Sequence, residues 1–121
     1  MWKKIDSTFG WLLVLASCGH TLRTLKLVPF LSGLFVWCLA GSLAVALLGT
    51  LNIVRAGRPD DKALAAITAA GTAAWALLAL AFGKSIGNMM DPRVLGNLLI
   101  AVVLVFFSGA TFRMARRHPK Y

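Results

Sequence analysis

The sequence predicts an all-α polytopic membrane protein, four transmembrane helices in an antiparallel bundle, and three observations predict it. Hydrophobic residues make up 59% of the 121 positions, against about 45–50% apolar in a soluble domain. Charged residues make up only 14%, where a soluble domain carries about 25%, and they sit in clumps. Between the clumps lie four stretches, each long enough to cross about 30 Å of hydrocarbon at about 1.5 Å per residue. One domain over residues 1–121 is expected at this length.

The first span is expected over about 7–28, with Asp6-Ser7-Thr8 offering oxygens for its N-cap. Pro29 separates it from the second, about 30–54, by a very tight connection. Gly57 is a good stop for the second helix. Pro59-Asp60-Asp61 opens the third, about 62–82, with a fixed φ and negative charge at the helix start. Gly83 ends it, and Asp91-Pro92 reads as N-cap and first residue of the fourth, about 92–114.

The basic residues give an orientation. Nine of them (Lys3, Lys4, Arg55, Arg58, Lys62, Arg113, Arg116, Arg117 and Lys120) fall at one end, and Arg23, Lys26, Lys84 and Arg93 at the other. The positive-inside rule then puts both termini in the cytoplasm of a multi-pass protein of the bacterial inner (plasma) membrane. The net charge of +9 is thereby explained without nucleic acid, since these residues flank apolar spans and suit anionic lipid.

Close packing of small residues holds helices together in lipid. The second span carries Gly33, Gly41 and Gly49 on one stripe, and the third has Ala66, Ala70 and Ala74 in a row. These two helices are expected to form the tightest pair, with Trp37 and Trp75 as fillers. The run from Ile100 to Phe107 is expected to face lipid or a second copy of the chain. Homo-oligomers or membership of a larger membrane complex follow from so thin-walled a bundle.

Much chemistry is excluded. The four acidic residues, Asp6, Asp60, Asp61 and Asp91, each read as a helix-start cap or dipole partner. No carboxylate is therefore expected inside a span to drive proton-coupled export or acid–base catalysis. There is no phosphate-binding glycine loop, no zinc spacing and no nucleophile motif. The paired or free state of Cys18 and Cys38 is open.

The segment "SCGHTLRTLK" is the chemical exception. Ser17, His20, Thr21 and Thr24 recur at spacings of three and four and form a polar stripe. Arg23 and Lys26 lie in the last turns, where their stems carry the charges to the interface. His20 is expected to face the bundle interior and Arg23 the aqueous boundary. The stripe makes either an interhelical hydrogen bond or the wall of an outward-facing pocket. Arg23, Lys26, Lys84 and Arg93 would then form a rim attractive to anions. No cofactor is expected, although His20 is a conceivable axial haem ligand.

Two local resemblances carry further expectations. Leu15-Ala16-Ser17-Cys18-Gly19 resembles the lipobox of bacterial lipoprotein signal peptides, which implies lipidation and cleavage at Cys18. Asp6 and the lack of a polar tether after Cys18 depart from that pattern. Gly19-His20-Thr21-Leu22-Arg23 is similar to the early Gly-x-x-x-Arg segment of four-helix fluoride channels. Gly49-Thr50-Leu51-Asn52 is similar to their Gly-Thr-Leu-x-x-Asn, with Asn52 one position early. The uninterrupted alanine of the third span departs from the phenylalanine- and serine-rich break of that family, and the chain is not assigned to it.

The functional expectation is a transporter- or channel-like or ligand-binding membrane component with an outer basic vestibule. The alternative is a structural or assembly subunit of a larger complex. A small enzyme acting on lipid or quinone ranks third.

Overall fold

A computed structural model describes residues 1–117. The chain forms α1 (Trp2–Leu27), α2 (Gly33–Ala56), α3 (Lys62–Ser85) and α4 (Pro92–Arg117), and no strand occurs among the described residues. His118 and Lys120, and the side chains of Arg116 and Arg117, lie outside what is described.

Three of the helices are long and apolar enough to cross a membrane: Gly33–Ala56, Lys62–Ser85 and Pro92–Met114. α1, expected as the first of four spans, is not among the three. It has 26 residues, but its sequence carries Lys3, Lys4, Asp6, Ser17, His20, Thr21, Arg23, Thr24 and Lys26.

The helix ends follow local chemistry, with three departures from expectation. First, α1 begins at Trp2 with no side-chain cap. Asp6, Ser7 and Thr8 are inside the helix, and the Thr8 hydroxyl donates to the Lys4 carbonyl. Second, the connection after α1 is a turn over residues 28–32. Leu31 takes φ +58°, and Ser32 caps α2 by accepting from the Phe35 amide at 3.1 Å. Third, α3 runs past Gly83 to Ser85, and Gly87, at φ +67°, supplies the left-handed residue that turns the chain. The starts of α3 and α4 are as expected. Asp61 caps α3 through the Leu64 amide at 2.9 Å. Asp91 precedes Pro92 and accepts from the Arg93 amide at 2.8 Å.

The closest packing lies within two pairs, α1 with α2 and α3 with α4, and α2 meets α3 much less. Gly10 and Gly49 explain the first pair. A methyl group at Gly49 would lie 2.8 Å from Cγ2 of Val14 and 2.9 Å from the Gly10 carbonyl oxygen, and one at Gly10 would lie 2.7 Å from Cγ1 of Ile53. Only glycine allows these backbones to approach so far.

The expected tight α2–α3 seam is therefore a correction. Gly33 and Gly41 face open space, Gly49 packs on α1, and Ala66, Ala70 and Ala74 are exposed. The face of α3 that meets α2 carries Gly71, which lies against Leu48, and Thr72, which bonds to Asn52. The physical reason is that buried hydroxyls need partners whereas alanine does not. Thr68 and Thr72 turn inward, and the alanine row turns outward. The aliphatic run of α4 divides in the same way: Ala101 and Leu104 are buried, Val102 and Phe106 exposed. Leu13, Val45 and Leu104 form the apolar core, flanked by Phe9, Leu48, Trp75 and Ile100.

Candidate functional site

On one side of that apolar layer, all four helices line a cleft of about 310 Å³. From α1 come Ala16, Ser17 and His20. From α2 come Trp37, Cys38, Gly41, Ser42 and Val45. Trp75 comes from α3 and Asn97 from α4. Helical periodicity places these residues, since 17 and 20, and 38, 41, 42 and 45, recur at three and four.

Two short hydrogen-bond chains organise the walls. The Ser17 hydroxyl donates to the Ser42 carbonyl at 2.6 Å. The Ser42 hydroxyl donates to the Cys38 carbonyl at 3.1 Å and sits 2.8 Å from Nδ1 of His20. Across the cleft, the indole N–H of Trp75 donates to Oδ1 of Asn97 at 3.2 Å, and Nδ2 of Asn97 donates to the Arg93 carbonyl at 2.7 Å. Ser42 is close enough to His20 for a serine–imidazole pair, and its residue is only 4% exposed.

Of the eight residues expected to bind ligand, only Ser17 and His20 line this cleft; Ser17 is buried, but His20, expected to face the interior, is exposed at the cleft mouth. Thr21 and Thr24 spend their hydroxyls on the Ser17 and His20 carbonyls of their own helix. Arg23, Lys26 and Lys84 are exposed. Arg93 is committed elsewhere: its guanidinium bonds Asp91 at 2.8 and 2.9 Å and lies 5.3 Å from the centre of the Phe82 ring. Asp91 is held down to about 2, first by the Arg93 side-chain hydrogen bonds, then by its backbone N–H, with the charge of Arg23 adding to the effect. The basic rim therefore contains its own anion.

A second polar cluster escaped the sequence reading. Arg55, 0% exposed, places all five of its N–H donors. Nη1 and Nη2 bond the two carboxylate oxygens of Asp6, Nη1 also reaches Thr111 Oγ1 at 3.1 Å, and Nε and Nη2 reach Asn52 Oδ1 at 3.4 and 3.3 Å. Asn52 donates to Thr72 Oγ1 at 3.1 Å and accepts from Ser108 at 3.5 Å, and Ser108 lies 3.0 Å from the Thr68 hydroxyl. The network joins all four helices. Two expectations are corrected by it. Asp6 is a buried ion-pair partner rather than a cap, and Arg55 is an internal charge rather than an interfacial one. The available signals were Asn52–Arg55, Thr68–Thr72 and Ser108–Thr111, each at helical spacing.

No group of three or more His, Cys, Asp or Glu side chains gathers among the described residues. Cys18 and Cys38 are both free thiols. No family model, curated protein or solved structure matches the chain.

Proposed function

We propose that this chain is a small multi-pass protein of the bacterial inner membrane that binds a small, largely apolar ligand in the cleft between its four helices. The observation that carries the reading is that cleft, with His20 and Asn97 on separate walls among Trp37, Trp75, Val45 and Gly41. A path through the axis is disfavoured by what lies beyond it. Leu13 and Leu104 are 0% exposed, and the Arg55 network fills the bundle toward the chain termini. The cleft is thus open on one side and closed on the other, which suits a binding component better than a channel.

In this reading all four helices cross the bilayer as an antiparallel bundle with cytoplasmic termini. The contacts are compatible with that. Asp6 meets Arg55, Gly10 meets Gly49, and Ser17 meets Ser42, a pairing that supports opposite directions for α1 and α2. Thr68 meets Ser108, and Trp75 meets Asn97, which supports the same for α3 and α4. Ser17, Thr24 and Asp6 of α1 are buried against other helices, which spares lipid the contact that made α1 look less apolar.

Gly41 supplies the test. It lines the cleft and has open space at its α-carbon, so Gly41→Leu should fill the cleft and leave the fold intact. Native mass spectrometry of mildly solubilised protein should find a stoichiometric apolar molecule on the wild type and none on this variant. In a Cys18→Ala background, that molecule should also slow alkylation of Cys38. Empty wild-type protein, with equal Cys38 reactivity in both forms, would overturn the reading.

A second reading, an assembly subunit or homo-oligomer, is favoured by one observation. Gly33 and the Ala66, Ala70 and Ala74 row are exposed, a surface that helices of a partner can approach closely. A monomeric mass in nanodiscs, with no stoichiometric partner on mild extraction, would remove it.

A further inference from the structure

We propose that the cleft ligand is an uncharged aromatic alcohol with two ring oxygens, a lipid-soluble quinol, whose hydroxyl donates to Nε2 of His20 and whose second oxygen accepts from Asn97. This rests on the binding reading above and goes further by naming the chemistry of the ligand.

Proton accounting carries the argument. A serine hydroxyl has one proton, and that of Ser42 goes to the Cys38 carbonyl. In the tautomer we assign, the 2.8 Å contact with His20 is donated by Nδ1–H. A neutral imidazole has only one N–H, so Nε2 is left as an acceptor, and no described residue bonds to it. On the other wall, the Trp75 indole can only donate, which fixes the oxygen of the Asn97 amide toward it. One Asn97 N–H goes to the Arg93 carbonyl, and the other remains to donate. The cleft therefore presents one acceptor on α1 and one donor on α4.

The remaining features narrow the class. No cationic side chain lines the cleft, and Arg93 is bound to Asp91, so a carboxylate or phosphate would meet a lone pair at His20 with no counter-charge. A plain hydrocarbon chain would cover both polar groups and leave them unmet. Trp37 and Trp75 supply aromatic surface, which favours a ring over an aliphatic alcohol. A volume of about 310 Å³ is at the small end of the roughly 300–1,000 Å³ typical of ligand sites. It suits a single substituted ring whose tail runs out into lipid.

The test uses the full chain in nanodiscs of zwitterionic lipid, titrated calorimetrically with three probes: a decyl-substituted 1,4-benzoquinol, its dimethyl ether, and decanol. The quinol should bind at least tenfold more tightly than either of the others, because the ether lacks the donor and decanol lacks the ring. His20→Phe should reduce quinol affinity to that of the ether and leave ether affinity unchanged, whereas a merely structural role would weaken both. Equal binding of quinol and ether, or of quinol and decanol, would overturn the proposal, and the wild-type comparison does so without any variant. If the wild type retains a cleft-bound molecule that Gly41→Leu loses, yet ignores the quinol, only this inference fails. If no molecule occupies the cleft at all, the binding reading fails first.

Discussion

At the level of single residues, Arg55 is a fully buried charge that depends on its partners. Its guanidinium is buried and all five donors are placed, a fork geometry that lysine cannot reproduce. Removing one partner leaves the other charge buried and unpaired. Asp6→Leu alone should therefore destabilise by about 3–5 kcal/mol, while Asp6→Leu with Arg55→Met should recover much of that loss. Reversible unfolding in mixed detergent micelles would measure both, and additive losses would contradict the pairing. The exposed Asp91–Arg93 pair behaves differently. The folded state depresses Asp91 to about 2, so its contribution is present above the ordinary carboxylate range and is lost as pH falls through about 2. An NMR titration of the Asp91 carboxyl should show a midpoint near that value, and Arg93→Gln should return it toward the ordinary range. Sequence reading found Asp91 because its role is local, a cap two residues from the amide it bonds. It missed the role of Asp6 because the partner lies 49 residues away, and spacing along one helix carries no information at that range.

At the level of helices, the sequence located all four, and the starts of α3 and α4 fall where the Asp caps put them. The first boundary was misplaced because a cap-forming run can also lie within a helix, where the Thr8 hydroxyl is satisfied by a carbonyl one turn back. Pairing was less legible. A stripe of small residues says that close approach is possible and not which neighbour makes it. Buried hydroxyls and amides decide, because they alone incur a penalty when unmatched. Two substitutions separate these roles. Gly49→Ala, whose methyl would lie 2.9 Å from a backbone oxygen, should destabilise the α1–α2 pair by about 1–3 kcal/mol. Gly41→Leu should change thermal stability little, having open space around it. Parallel melting curves in detergent would check the contrast, and equal losses would show that a different face is in contact.

For the whole molecule, the cleft lies on one side of the Leu13, Val45 and Leu104 layer and the charge network on the other. In the proposed bilayer arrangement, Arg55 no longer counts toward the positive-inside bias, but Lys3, Lys4, Arg58, Lys62 and Arg113 still do, each of them exposed. Cysteines placed at Lys3 and at Asn88, in a Cys18→Ala, Cys38→Ala background, should be labelled from opposite sides of intact cells, with position 88 outside. Labelling of position 3 from outside would reverse the topology. The network also bears on how the chain is made. As synthesis proceeds from the N-terminus, Arg55 emerges when its Asp6 partner is already available, and in the proposed arrangement α1 and α2 would enter the membrane as a neutralised hairpin. Thr68, Thr72, Ser108 and Thr111 arrive only with the second hairpin. Until then, in the proposed arrangement, one N–H of Asn52 and one of Arg55, those later taken by Thr72 and Thr111, would lack partners. A half-finished protein thus carries a polar blemish that completion erases, a mark by which membrane proteases could tell an orphaned hairpin from a finished fold.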